Sequence, residues 1–146
     1  MAQQSAQSVE TEQVLEFRLG EETYCVSIDY VTEIVDMGEL TPIPNSPPHV
    51  EGVIDLRGRT TSIIDPKVGL GIGGKLGERI IIFDSAIFDS DSSVGWAVDS
   101  VEEVSDIASE DIDESPIDQE HIRGLIKRES NFVIWIDPQT VNGEFE

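Results

Sequence analysis

The amino-acid sequence predicts an all-β protein built from two similar halves. Apolar and polar residues alternate over short runs such as residues 23–28, in which Tyr24, Val26 and Ile28 share one face. Glycine, proline and aspartate interrupt these runs at short intervals, and no stretch shows a long helical period. A pattern of glycine, aspartate and apolar positions also occurs twice. Short strands and turns at regular spacing favour small barrels or a sandwich.

The first predicted hairpin consists of residues 14–19 and 23–28, joined by a turn. Asp29 follows it and is expected to cap a short helical turn, because Val31 and Ile34 lie three residues apart. The four prolines within residues 42–48 then exclude a long helix or a central strand.

A second hairpin is predicted at residues 52–56 and 60–64. Its turn is Arg57-Gly58-Arg59, in which glycine occupies a position where a positive φ costs little. Asp65-Pro66 ends this hairpin. The glycine-rich residues 69–77 are expected to be a flexible linker between the halves.

The second half repeats this order of strands and turns. Its predicted strands are residues 79–83, 94–98, 101–107, 124–126 and 131–136. We expect a polar excursion at residues 84–93 and an acidic loop at residues 109–120. Asp137-Pro138 closes the last hairpin, as Asp65-Pro66 closes the earlier one.

The sequences of the two halves align with each other after two nearly equal shifts in residue number. A shift of 70 residues places Asp29 on Asp99, and a shift of 72 residues places residues 50–66 on residues 122–138. Alternating strands alone would explain the matching apolar positions, but they do not explain the matching glycines and Asp-Pro pairs. The repeat therefore indicates a duplication, with two similar small barrels and a groove between them.

Composition excludes several classes of function. The 146 residues include 30 acidic and nine basic side chains, so the formal charge is −21. A nucleic-acid-binding protein needs a basic surface, and an anionic membrane surface would repel this chain. The acids are dispersed, which favours adaptation of the whole surface to high salt over recruitment of one basic partner.

The chain shows no sign of export. A single cysteine, Cys25, excludes an internal disulfide framework and suits a reducing cytosol. No apolar run approaches the roughly 20 residues that span a bilayer, so no membrane insertion is expected. Residues 1–12 are polar and lack the features of a signal peptide, so we expect a disordered tail.

Candidate catalytic and ligand-binding residues are few. His49, His121 and Cys25 are the only histidines and the only thiol, and Cys25 is expected to be a semi-buried structural residue. The glycines at residues 69–74 match a dinucleotide-binding spacing, but no long helix follows them. Asp89 and Asp91 begin like a calcium loop that lacks its glycine and closing glutamate. We therefore predict no catalytic residues, no metal and no cofactor.

One basic turn is unusual in this acidic chain. Arg57 and Arg59 flank Gly58, and only one other arginine, Arg18, occurs in the first half. Arg57 could tie the hairpin to a carboxylate such as Glu33, or it could contact a partner through its bidentate guanidinium. The two roles are compatible.

Several segments together resemble the CheW family of chemotaxis coupling proteins. The most specific is Gly-Val-Ile-Asp-Leu-Arg-Gly at residues 52–58, with aspartate where the family more often has asparagine. Further matches are residues 14–20, 24–28, 31–34, 43–48, 63–65, 95–104 and 122–124. The resemblance covers residues 13–141.

The resemblance implies two SH3-like five-stranded barrels with pseudo-symmetric halves. We expect the first barrel at residues 13–68, the second at residues 78–141, and a short tail at residues 142–146. It also implies a cytoplasmic adaptor in membrane receptor arrays. Such an adaptor joins the cytoplasmic tips of methyl-accepting chemoreceptors to the histidine kinase CheA, without catalysis or a cofactor.

The resemblance further implies where the partners bind. Val31, Glu33, Arg57 and Gly58 would lie at or near a receptor-binding groove. Residues Ile34 and Leu40 would belong to an apolar ridge that contacts the kinase.

Three alternatives stay open at this point. The chain could be a regulatory domain of a larger chemotaxis protein. It could be a small hydrolase that uses His121 or Cys25, or a calcium-dependent adhesion module that uses Asp89 and Asp91.

Overall fold

A computed structural model describes residues 11–88, 93–113 and 121–143 and shows two β-sheets joined by short turns. In the first half the strands are β1 (Thr11–Leu19), β2 (Glu22–Ser27), β3 (Val31–Asp36), β4 (Val50–Leu56) and β5 (Arg59–Ile64). In the second half they are β6 (Arg79–Phe83), β7 (Ser93–Val98), β8 (Ser100–Ala108), β9 (Ile112–Asp113), β10 (Ile122–Lys127) and β11 (Phe132–Ile136). Two short helices, α1 (Pro66–Leu70) and α2 (Pro138–Gly143), follow the two Asp-Pro hairpins.

Each sheet combines strands from both halves of the chain. Sheet A has the order β8-β1-β2-β11-β10-β9, and sheet B has the order β3-β6-β7-β5-β4. All neighbouring strands are antiparallel except the pairs β2–β11 and β5–β7. The first hairpin of each half therefore lies in the sheet that holds the other half's remaining strands.

This exchange of hairpins corrects the predicted division into consecutive barrels. Residues 13–68 and 78–141 do not each form one sheet, because β6 and β7 occupy the middle of sheet B and β1 and β2 the middle of sheet A. The reason is tertiary: a hairpin with two apolar faces can be buried in either sheet, and local sequence does not distinguish them.

The pseudo-symmetry predicted from the repeat extends to the register of the strands. Thr61 pairs with Ser93 in sheet B, and the equivalent residues Val133 and Thr23 pair in sheet A. A register irregularity between Val50 and Gly52 is matched by one between Ile122 and Gly124.

The largest core cluster lies between the two sheets. Trp96 is fully buried there, and Phe83 and Phe17 contact it edge-on at ring-centroid distances of 5.0 and 6.2 Å. Alternate residues of β6 face in opposite directions: Ile81 belongs to this cluster, and Ile80 belongs to a second cluster on the other face of sheet B. Burial on both faces explains the continuous apolar run of β6.

Several local predictions are corrected. Residues 31–36 form β3 and not a helical turn, because pairing with β6 outweighs the three-residue spacing of Val31 and Ile34. Asp29 lies inside the 3₁₀ helix Ile28–Tyr30, which has no side-chain cap. Strand β1 begins within the predicted tail of residues 1–12, and the predicted acidic loop contains the short strand β9.

The Asp-Pro pairs begin helices. The carboxylates of Asp65 and Asp137 accept hydrogen bonds from the backbone N–H groups of Lys67 and Gln139, each at 3.0 Å, as helix N-caps do. Helix α1 and its C-cap, Gly71 at φ +74°, occupy the first part of the predicted linker. A five-residue helix at this point agrees with the interpretation that the glycine spacing is not a dinucleotide fingerprint.

Candidate functional site

The basic turn between β4 and β5 has an unusual backbone. Arg57 and Gly58 both have positive φ, +53° and +85°, as the two central residues of a type I′ hairpin turn require. The N–H of Gly58 donates to the Asp55 carboxylate at 2.9 Å and holds the turn. An arginine in the left-handed region costs free energy, so the fold tolerates this side chain at a position that favours glycine or asparagine.

Arg57 joins the two edges of sheet B. Its Nη2 donates to Oε2 of Glu33, and Glu33 lies on β3, at the opposite edge of the sheet from β4. The ion pair therefore closes the curved sheet on itself. Its contribution to stability is small, below about 1 kcal/mol, because the Arg57 side chain is 68 % exposed.

A pocket of about 300 Å³ lies next to this ion pair. Four of its lining residues are charged and balance in sign: Arg57, Arg59, Glu33 and Asp84. The remaining lining residues are Thr32, Leu56, Ile82, Phe83, Ser85 and Ser93. Both halves of the chain contribute to the pocket because β6 and β7 lie in the middle of sheet B.

The structure brings only part of the predicted receptor site together. Glu33 and Arg57 are in contact, and Gly58 is exposed beside them in the turn. Val31 packs against the large core cluster, where β3 pairs with Phe83. Of the predicted set, Arg57 and Gly58 are thus exposed, and the half-buried Glu33 contacts Arg57.

The predicted kinase residues face different parts of the molecule. Ile34 packs against the cluster between the sheets, whereas Leu40 packs against the cluster on the other face of sheet B. They do not form one continuous apolar ridge. Ile34 lies on β3, whereas Leu40 lies in the segment that follows this strand.

Sequence reasoning did not assign Asp84 or Thr32 to the site. The N–H of Asp84 donates to the carbonyl of Tyr30 at 2.8 Å, and the Thr32 hydroxyl donates to the carbonyl of Ile82 at 3.2 Å. Both contacts depend on the pairing of β3 with β6, which are far apart in the chain. The equivalent strands β8 and β1 pair in the same way, but this pairing too is visible only in the folded chain.

Cys25 does not have the environment of a nucleophile. It is fully buried, and desolvation strongly raises the pKa of its thiol, with the nearby Glu16 carboxylate adding to the effect. A reactive cysteine needs a lowered pKa. His121, the other residue of the hydrolase hypothesis, lies within 3.3 Å of the Thr140 hydroxyl through its Nδ1.

The structure describes residues 11–88, 93–113 and 121–143. Within these ranges no cluster of three or more histidine, cysteine, aspartate or glutamate side chains is arranged to hold a metal ion. No helix in the same ranges is long and apolar enough to cross a membrane. Asp89 and Asp91, of the calcium-loop hypothesis, lie outside the described residues.

Known proteins resemble this chain over nearly its whole length. A family model for the CheW-like domain matches residues 13–144. The chemotaxis protein CheW of Treponema pallidum is 29 % identical over 137 residues, covering 86 % of this chain and 78 % of its own length. The CheW of Rhizobium meliloti is 29 % identical over 135 residues, covering 88 % and 86 %.

The fold agrees with a solved structure. The crystal structure of the scaffolding protein TtCheW from Thermoanaerobacter tengcongensis superimposes with a TM-score of 0.78 and 32 % identity, covering 90 % of this chain and 92 % of that one. The predicted all-β class with two SH3-like subdomains is thereby confirmed.

Proposed function

Because this chain belongs to the CheW family and is a chemotaxis coupling adaptor, we propose that it joins chemoreceptor tips to the histidine kinase CheA. The two partners bind separate surfaces of one body. The receptor state then biases the kinase through the relative position of the two bound partners, which is a coupling between two sites.

The receptor site is the pocket beside the Arg57–Glu33 ion pair. One observation carries this assignment: a strongly exposed arginine is held in a left-handed backbone conformation, at the mouth of a pocket that both halves of the chain line. Strained residues in such positions cluster at binding sites. The receptor segment is a helix tip that places one face in this groove.

The kinase site is the region around Leu40, on the other face of sheet B. Leu40 packs there with Val35, Met37 and Leu76, and Ile43 nearby in the chain is 43 % exposed. Ile34, on the neighbouring strand β3, packs against the core cluster between the sheets and holds β3 in place. Separate faces are what an adaptor needs in order to hold two partners at once.

The other parts of the proposal follow from the family. The protein acts without catalysis or a cofactor, in the cytoplasm and in association with membrane receptor arrays. The buried, high-pKa thiol of Cys25 supports the absence of nucleophilic chemistry at that residue.

Replacement of Arg57 tests the receptor site. We expect Arg57→Ala to weaken binding to a receptor cytoplasmic fragment at least about fivefold, while binding to CheA stays within about twofold, because a central arginine contributes strongly to an interface. Binding of each partner is measured separately, by pull-down and by titration with purified fragments.

Two further variants separate contact from fold. Arg57→Asn removes the guanidinium but keeps a residue that tolerates positive φ, so it should reproduce the loss of receptor binding at unchanged melting temperature. Arg79→Ala breaks a different ion pair, from Arg79 on β6 to Asp36 on β3 at 3.1 Å, which lies outside the pocket, so both partners should stay bound. Equal losses for both partners would mean that Arg57 is structural.

A further inference from the structure

Sheet A carries a second pocket at the position equivalent to the receptor pocket. It has a volume of about 430 Å³ and lies at the turn between β10 and β11. Thr23, Glu129, Ser130 and Asn131 line it. Under the repeat, Glu129-Ser130 takes the place of Arg57-Gly58, and Thr23 takes the place of Ser93.

A buried carboxylate lies at the base of this pocket. The Glu16 side chain is only 6 % exposed, and its Oε2 accepts a hydrogen bond from Nη2 of Arg128 and one of 2.7 Å from the Ser105 hydroxyl. Arg128 is 34 % exposed, so the ion pair connects the interior of the sheet to the pocket.

The same three positions in sheet B are aliphatic. Ile82, Leu56 and Val35 are the pseudo-equivalents of Glu16, Arg128 and Ser105, and all three pack in one apolar cluster. Sheet B therefore packs at these three positions without any charged group. Replacing a buried ion pair by well-packed aliphatic residues is often neutral or stabilising, so stability does not account for the polar set.

The second pocket also differs in charge from the first. The receptor pocket has two arginines and two carboxylates, Arg57, Arg59, Glu33 and Asp84. The pocket in sheet A has two carboxylates, Glu16 and Glu129, against one arginine. Because Arg128 offsets the charge of Glu16, the negative surplus of this pocket is the exposed Glu129 carboxylate. Thr23, Ser130 and Asn131 add oxygen acceptors around it, and Val133 completes the lining.

We propose that this pocket is a second docking site, which receives an arginine side chain from a basic segment of a partner protein. The guanidinium bonds to the Glu129 carboxylate and to rim oxygens, above the Glu16–Arg128 ion pair that forms the polar base of the pocket. Arginine fits because its planar fork donates several hydrogen bonds to carboxylate and hydroxyl oxygens at once. The inference does not depend on the receptor site.

Titration with a single side chain tests the proposal on the full chain. The probe is N-acetyl-arginine amide, and N-acetyl-citrulline amide has the same shape without the charge. We expect saturable backbone amide shifts in heteronuclear NMR at Thr23, Ser130 and Asn131, at millimolar concentrations of the arginine probe. The citrulline probe should bind at least about tenfold more weakly, since a charged hydrogen bond is lost.

Two variants locate the binding. The triple variant Glu16→Ile, Ser105→Val, Arg128→Leu copies the aliphatic set of sheet B, so it should fold and lose the saturable shifts. Glu129→Gln changes only an exposed residue of the turn and should weaken arginine binding about tenfold, whether or not the triple variant folds. Arg79→Ala, whose ion pair to Asp36 lies outside both pockets, should leave the shifts at Thr23, Ser130 and Asn131 unchanged.

Several outcomes would overturn the proposal. They are the absence of saturable shifts at the rim, equal binding of the two probes, and full binding by Glu129→Gln. Preferential binding of N-acetyl-glutamate amide would instead assign Arg128 to an acidic partner group, and would equally reject a site for arginine.

Discussion

Gly52 shows how one residue determines the path of a whole segment. It adopts φ +153°, and a Cβ on it would overlap the backbone carbonyl oxygen of Thr41. Thr41 and Val53 exchange two backbone hydrogen bonds of 2.9 Å, which fasten the proline-rich segment to β4. Glycine permits this close approach because it has no side chain.

We therefore expect Gly52→Ala to lower the free energy of unfolding by about 2 kcal/mol or more, because backbone atoms must move apart. Urea denaturation followed by circular dichroism measures the change. Gly38→Ala is the matched control: nothing lies within 4 Å of the added methyl group, so its effect should stay within about 0.5 kcal/mol. Equal effects of both variants would contradict the steric explanation.

At the scale of an element, the Lys67 side chain stabilises the connector between the halves, the glycine-rich residues 71–78. Its side chain is only 4 % exposed, and its Nζ donates to the carbonyl of Lys75 at 2.6 Å and to Asp99 at 3.0 Å. The other oxygen of Asp99 accepts the N–H of Gly20 at 2.6 Å. One buried ammonium thus holds the glycine-rich segment and the end of β7 together, near the first turn.

Lys67→Met should release this connector while keeping an apolar stem of similar length. We expect hydrogen exchange to speed up at Gly71 and Ile72, whose N–H groups bond to α1, and the unfolding free energy to fall by about 1–3 kcal/mol. Mass spectrometry of peptides from this region reports the exchange. The control variant Arg79→Ala breaks an exposed ion pair and should leave these amides protected. Unchanged exchange in Lys67→Met would show that other contacts hold the glycine-rich segment.

At the scale of the whole molecule, the exchange of hairpins makes the halves interdependent. A fragment of residues 11–71 lacks β6 and β7, the middle strands of sheet B, and a fragment of residues 72–143 lacks β1 and β2. Neither fragment can bury the residues around Trp96, since both sheets contribute to that cluster.

We expect each fragment alone to be unfolded, and the mixed or co-expressed fragments to form the native fold. Near-ultraviolet circular dichroism of Trp96 and Trp135 measures this, because both indoles are buried only in the assembled protein. A cooperative thermal transition in residues 11–71 alone would contradict the interdependence of the two halves.

The formal charge of −21 acts on the molecule as a whole. Dispersed like charges repel one another, and salt screens this repulsion over about 3 Å at 1 M. We expect the melting temperature to rise by about 10 °C or more between 0.1 and 2 M potassium chloride. Sucrose, which stabilises without screening charge, serves as the comparison. A melting temperature that does not change with potassium chloride concentration would contradict the hypothesis of adaptation to high salt.

The sequence predicts much of this architecture. Alternation located all the long strands except β3, and the repeated Gly and Asp-Pro positions predicted the pseudo-symmetry that appears in the register of Thr61 and Val133. The basic turn led to Arg57 and to its partner Glu33. Strand β3 was missed because its pairing with β6 is a long-range contact that the spacing of Val31 and Ile34 does not reveal.

The strands, the turns, the duplicated order and the resemblance to one family can be read from the sequence, because they depend on local periodicity and on residues close in the chain. Which hairpin enters which sheet depends on long-range packing, since the apolar faces of both hairpins suit either sheet. That choice placed Asp84 beside Arg57, and put Glu16 under Arg128 where sheet B has Ile82 and Leu56. Pockets form between strands that meet only after folding, and so the sites followed from the fold.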